Sequence, residues 1–533
     1  MTQAKKEKAP WLTGESLFTY VKNNIDEEGY FASDTLPDRS ADTPGSQIGM
    51  ELGSEDGFAS VFTNEEKEPL TKKIFDLTQN YSNDPTEANA FSLYYEVCAS
   101  DCILYHETLL NKLAQDKISP ALQNLAIEFL YHAPEREAVK FAILVCGLSL
   151  LNLDNPVQAK KLHEDLLLLS RCEEFTVHVI YACELNHELS QEDFWNIMTH
   201  TNGWGKIYAM ESYNFDTQEK RDWLLAYGSD ISVLFPTIAL NIIKDGHLTE
   251  AAERPILSKE LVIGMLRTIT YYVILLFDTN GENEEEENDV LPVIDLADLL
   301  GKILKSAKKH CNRLELAYWL YRLTELLNVI AENQKWEILG ANQCHLLLSE
   351  AEQLLFSKDW RLDIIENLID RKGRINYMVI EFALDIGLDI NKELLALLKE
   401  DPQRTELYSV LLQAKDKRIF NTALSLAKKN LASYMKDARC LSPILGALSN
   451  KPGVGREFIA AGLTSIFDVT RAAAINALEK WPAKNITPTL RLSLIKGKEL
   501  CQNPYLTFRI DAILNNKKLD INSFLEDLVH END

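Results

Sequence analysis

Apolar residues recur every three to four positions over most of this chain, the spacing of helices that bury one stripe and expose the other. From Asn64 onward the pattern rarely stops. Glu65 to Tyr81 predicts one helix. Pro85 to Ala114 predicts a long one, with Phe91, Tyr94, Tyr95, Cys98, Cys102, Leu109 and Leu113 on its stripe. Ser119 and Pro120 open the next, since serine can accept from free helix amides and proline suits the first turn. That helix runs to His132, breaks at Ala133 and Pro134, and has Glu135 to Leu150 as its partner. Val157 to Ser170, Glu174 to Leu185 and Gln191 to His200 follow, the last stopped by Asn202 and Gly203. Trp204 to Ser212 is a short helix. Asp216, with Glu219 three residues on, reads as a capping box that opens Thr217 to Tyr227. Further helices are expected at 259–278, 291–310 and 313–332, and in a series from Cys344 to Val529 that includes Phe420 to Tyr434, Pro443 to Ser449 and Ser523 to Val529. No alternating β-branched run is long enough to build a sheet, so the expected class is all-α.

Two stretches break the pattern. Residues 1–62 have no helical period beyond Ser16 to Ile25, and mix Gly, Ser, Asp and Pro with scattered aromatics. They read as an irregular arm, either a strap over a groove or a packed terminus. Residues 281–289 (GENEEEEND) repel one another and cannot enter a core, which makes them a solvated loop. The expected organisation is therefore the arm at 1–62, a helical half at 63–280, the acidic loop, and a second helical half at 290–533.

One helix carries a repeat signature. Asp468 to Leu478 (DVTRAAAINAL) places Asp at the turn, Arg471 near the helix start, small alanines on the inner stripe and Leu478 below them. Alanine permits close helix approach and leucine fills the space between layers. The segment resembles the second helix of a HEAT repeat. Looser copies start at Pro134 (PEREAVKFA), Asp216 (through Arg221 to Tyr227) and Val454 (VGREFIAAGL). The resemblance implies an α-α superhelix, a HEAT/armadillo-like solenoid of stacked hairpins, with a protein or peptide bound on its concave face. The block from Asn202 through Lys206 to Arg221 and Leu225 also resembles segments of uncharacterised bacterial helical-repeat proteins sometimes labelled limonene hydroxylase. That label implies a haem, flavin or iron centre.

Composition narrows the function. The 533 residues carry a net charge of −25, which opposes phosphate backbones and anionic membranes and favours basic partners. The nine cysteines are scattered and form no CxxC pair, as expected of reduced thiols in the cytoplasm. The start of the chain shows no apolar leader. Leu261 to Phe277 carries Arg267 at its centre and falls short of a span of about 20 residues, so it reads as a buried helix.

Reactive signatures are missing from the sequence. GVG at 453–455 lacks a preceding strand, and no GxxxxGK[ST], HExxH or GxSxG occurs. Cys98, Cys102 and His106 fall at i, i+4 and i+8, but one helix separates the outer two by about 12 Å, so one ion cannot reach all three. No catalytic, cofactor-binding or metal residue is assigned, and no cofactor is expected. Trp204, Lys206, Arg221, Asp222 and Trp223 are the candidate partner-binding residues, because aromatics and arginine anchor interfaces. The expected function is a non-catalytic scaffold. The alternative is an enzyme of oxygenase or lyase type with a pocket in the helical frame.

Overall fold

The computed structural model describes residues 9–39, 51–62, 68–115, 118–150, 153, 155–185, 187–233, 236–278, 295–310, 312–370, 373–501 and 503–517. Among them there are 28 α-helices, short 3₁₀ turns and no strand, only two isolated bridges. The all-α class is therefore as expected. Contacts divide the chain into two units: Met1–Asp38 with Met50–Asp359, and Arg39–Gly49 with Trp360–Asp533. The expected loop at 281–289 lies outside the described residues. The helices on either side of it pack on each other within the first unit.

The first unit starts with α1 (Leu17–Asn23), α2 (Ser54–Phe62), α3 (Glu68–Asn83), α4 (Glu87–Cys98), α5 (His106–Gln115), α6 (Pro120–His132) and α7 (Arg136–Ser149). It continues with α8 (Pro156–Leu169), α9 (Glu173–Glu184), α10 (Gln191–His200), α11 (Trp204–Glu211), α12 (Gln218–Tyr227), α13 (Ile238–Asp245) and α14 (Leu248–Ala252). It ends with α15 (Lys259–Asp278), α16 (Leu296–Ala307), α17 (Leu314–Glu332) and α18 (Ala341–Leu355). The second unit holds α19 (Arg361–Glu366), α20 (Tyr377–Asp385), α21 (Asn391–Glu400), α22 (Tyr408–Leu411), α23 (Lys417–Tyr434), α24 (Ala438–Leu448), α25 (Arg456–Leu463), α26 (Asp468–Lys480), α27 (Pro488–Leu500) and α28 (Pro504–Leu514).

Several starts follow the chemistry read from the sequence. Ser119 accepts from the Leu122 amide with Pro120 at the first turn of α6. Ser190 and Asp193 form a reciprocal capping box at α10. Other expectations are corrected. The long helix from Pro85 to Ala114 is broken: α4 stops at Cys98, Cys102–Leu104 is a 3₁₀ turn, and α5 begins at His106. The freed Cys102 amide donates to the buried Glu137 carboxylate at 2.7 Å, which is what holds the break. The i, i+4, i+8 thiol and imidazole stripe therefore does not exist as one helix face. The cap of α12 is Thr217, which accepts from Lys220 N, while Asp216 pairs with the Lys220 ammonium at 2.8 Å. Asp468, placed at the turn, is the first helical residue of α26 and pairs with the buried Arg471 guanidinium. Pro443 lies inside α24 rather than opening it. The helix expected at Ser523 to Val529 lies outside the described residues.

In both units helices pack mainly on their near neighbours in sequence. In the first, α6 packs on α7, α7 on α9, α9 on α11, α12 on α15, α15 on α17 and α16 and α17 on α18. In the second, α21 packs on α23, α22 on α24, α24 on α26, α25 on α27 and α26 on α28. The window Lys259–Phe277 in α15 is long and apolar enough to cross a membrane, yet 72% of it is buried inside the protein. Every residue of α7 is buried. A helix enclosed on all sides should be apolar all round, but α7 opens with Arg136, Glu137 and Lys140. Those three residues lead to the site.

Candidate functional site

Charged residues are seldom fully buried unless paired. Around the start of α7 a whole group of them is buried. Lys140 Nζ lies 2.7 Å from Asp56 Oδ2, 2.8 Å from Glu174 Oε1 and 3.1 Å from Glu137 Oε1. Arg136 grips Asp38 with Nε and Nη2, at 2.8 and 2.9 Å, and lies 3.1 Å from Glu174. Glu174 Oε2 also accepts from the Gly53 amide at 3.0 Å. Four elements meet here. Asp38 comes from a 3₁₀ turn of the arm, Asp56 from α2, the two cations and Glu137 from α7, and Glu174 from the first turn of α9.

The electrostatics follow from burial and proximity. Burial works against the charge of Lys140, but Asp56, Glu174 and Glu137 outweigh it and raise its pKa well above that of an ordinary lysine. Burial also pushes Glu174 up, yet Lys140 and Arg136 prevail and hold it at about 2. Asp56 goes the other way. Burial raises it, Lys140 opposes, Glu174 and Glu137 add their repulsion, and its pKa reaches about 7. His178, one turn beyond Glu174 on α9, is fully enclosed with its Nδ1 3.8 Å from Asp56 Oδ2. Burial, with Lys140 and His106 nearby, lowers its pKa well below the usual imidazole value and keeps it neutral. Neither ring nitrogen of His178 has a hydrogen-bond partner among the described residues.

The glycine-rich stretch after α10 is explained by a second carboxylate. Glu173 accepts from the amides of Asn202, Gly203 and Gly205 at 2.6, 2.7 and 2.6 Å. A Cβ at Gly205 would come within 2.8 Å of the Thr176 side chain and 2.9 Å of Glu173 Oε2, so a side chain there would crowd both. Burial raises the Glu173 pKa in spite of these three donors. The start of α11, which could receive an anion, is thus already occupied by the protein's own side chain.

The five candidate residues sit around this junction. Trp204 and Lys206 are buried, at 2% and 6% exposure, so no surface partner meets them directly. Lys206 Nζ donates to Tyr227 O and Asp230 O at 2.8 and 2.9 Å, just past the end of α12, and lies 5.4 Å from the Trp223 ring centre. Burial lowers its pKa to about 8. Trp223 is partly buried and also meets the Trp195 ring. Asp222 forms a two-pronged pair with Arg254, at 2.7 and 2.9 Å. Arg221 reaches Asp216 O and the His247 ring. The structure therefore joins Trp204, Lys206 and Trp223 in one region, while Arg221 and Asp222 remain half-exposed.

The repeat-like segment from Pro134 spans Arg136, Glu137 and Lys140, but the sequence pattern gave none of them, nor Asp38, Asp56, Glu174 and His178, a place in a site. One signal was present. Glu137 and Lys140 at i, i+3, and Glu174 and His178 at i, i+4, interrupt segments that are otherwise apolar. As a chemical device the cluster holds rather than reacts, because each buried cation is already shared among carboxylates. It fastens the arm to the helical body, and its Asp56 proton is exchangeable near neutral pH. Comparison with family models, with curated proteins and with solved structures gives no match.

Proposed function

We propose that the helices of each unit stack as a HEAT/armadillo-like solenoid, and that the protein is a non-catalytic scaffold binding a basic protein or peptide partner along a helix face. The observation that carries this reading is the packing order: in the second unit helices pair with their first and second neighbours in sequence, and most pairs among α6 to α18 of the first unit do the same. In a solenoid each unit buries its apolar side only against adjacent units, and the stack leaves an extended face for a partner. The buried Arg471, which donates to Ser465 O at 2.8 Å and pairs with Asp468, is a local lock of the kind such hairpins need at their turns. A net charge of −25 favours a basic partner by steering its approach. The eight described cysteines, all unpaired, fit a reducing cytoplasm.

The test is affinity purification from the native host with mass spectrometry, followed by rebinding of the recovered partner to the purified chain. A basic partner that rebinds, with affinity falling as salt rises, is the expected result. The reading fails if no partner is reproducible and a small molecule alone raises the melting temperature.

A further inference from the structure

The first unit also contains a cavity that none of the groups above enters. It is a half-open pocket of about 230 Å³ where the turn at Pro10–Leu12, the end of α3, the start of α4 and the middle of α6 converge. Its walls include the rings of Trp11, Tyr81 and Phe91, and the carboxylates of Glu87 and Glu128. The rings are held firmly. Trp11 meets Phe91 edge-on at 5.7 Å, with Tyr94 and Phe129 packed behind it at 5.5 and 5.0 Å. The Trp11 indole N–H donates to Glu128 Oε2 at 3.1 Å, which fixes that carboxylate at the cavity wall. Burial, with the Glu128 charge, raises the pKa of the Tyr81 phenol, so the hydroxyl stays protonated and the ring neutral.

The lining contains two acids and no lysine or arginine among the described residues. Glu87 and Glu128 have no ion-pair partner among the described residues. Three aromatic rings beside a carboxylate that pairs with no cation among the described residues attract a cation twice over, through the ring quadrupoles and through charge. The volume is below the 300–1,000 Å³ typical of pockets for drug-sized ligands and suits a head group instead. The three rings, with the buried Leu125 and Ala90 beside them in the lining, favour a cation clothed in carbon over a strongly hydrated metal ion.

From this geometry we infer that the cavity binds an organic ammonium ion, with Trp11, Tyr81 and Phe91 enclosing its alkyl groups and Glu128 neutralising its charge. The same chemistry is offered by a free quaternary ammonium compound and by a methylated lysine side chain. The cavity would take either whether or not the helical stack also docks a protein.

The experiment is calorimetric titration of the full chain with choline and with 3,3-dimethylbutan-1-ol, the neutral isostere in which carbon replaces nitrogen. Choline is expected to bind about tenfold or more tighter than the isostere, the size of a desolvated cation–π and charge contribution. Glu128→Gln and Phe91→Leu, each checked for unchanged helicity and melting, should weaken choline by a similar factor. Peptides with trimethyllysine or plain lysine separate the sources. Tighter binding of the trimethyllysine peptide than of choline assigns the cavity to a protein side chain, and the reverse assigns it to a free cation. Equal binding of choline and its isostere, no binding of any ammonium probe, or an unchanged affinity in folded Glu128→Gln would each overturn the assignment.

Discussion

Lys140 faces three carboxylates inside α7, and the cost of removing it is the clearest consequence of the buried cluster. Lys140→Met keeps the stem and deletes the charge. Glu174 would keep Arg136, while Asp56 and Glu137 would lose their contact with the Lys140 ammonium. Breaking a buried pair of this kind costs about 3–5 kcal/mol, measurable by urea denaturation. A change below about 1 kcal/mol in this variant, the level of exposed pairs, would show that the cluster is solvated. The pH response has a defined sign. Folded Asp56 keeps its proton up to about 7, whereas the unfolded chain releases it near 3.8. The folded state binds more protons between those values, so stability from this group falls as the pH rises through that window. Glu174 is the opposite case. Held at about 2 against an ordinary 4.5, it contributes stability above 4.5 that is lost as the pH falls towards 2. Asp56→Asn should flatten the decline above pH 3.8 and leave the acid limb intact, as followed by thermal melts across pH. At this scale the sequence hid most of the site. Asp38 and Asp56 are unremarkable acids in an irregular stretch, and only the long-range docking of the arm makes them partners of Arg136 and Lys140. Trp204 and Lys206 looked like interface anchors because aromatics and cations serve in both surfaces and junctions; burial decides between those roles, and burial depends on the fold.

Helix formation was far more legible, because its causes are local. The limits expected for 259–278 match α15, and Ser119–Pro120 opens α6 as its capping chemistry requires. Failures came where a distant group intervened. The apolar stripe of Pro85 to Ala114 continues through Cys102, yet Glu137 on α7 takes the Cys102 amide out of the helix. Close approach between helices is another non-local effect. A Cβ on Gly264 of α15 would sit 2.1 Å from Leu225 O and 2.5 Å from Ala226 O of α12, both backbone atoms that cannot swing aside. Gly264→Ala would gain about 1 kcal/mol of helix propensity in isolation. It is instead expected to destabilise the protein by about 1–3 kcal/mol through overpacking, read from the denaturation midpoint. A stabilised Gly264→Ala would mean that α12 and α15 are further apart than described.

For the whole molecule, composition gave the all-helical character and the net charge, while the order of packing came only from the structure. The acidic run at 281–289 invited a boundary, since a solvated loop often joins two bodies; contacts instead divide the chain after Asp359. Loop composition reports what a segment cannot bury, not which helices share a core, and α15, α16 and α17 share theirs across that segment. The central claim is neighbour-to-neighbour stacking, and native-state hydrogen exchange in mild denaturant tests it most directly. In a stack each hairpin leans only on the next, so opening free energies along α21 to α28 should be graded, lowest at the terminal helices and highest within the series. One common opening free energy for all of these helices, equal to that of global unfolding, would contradict the account.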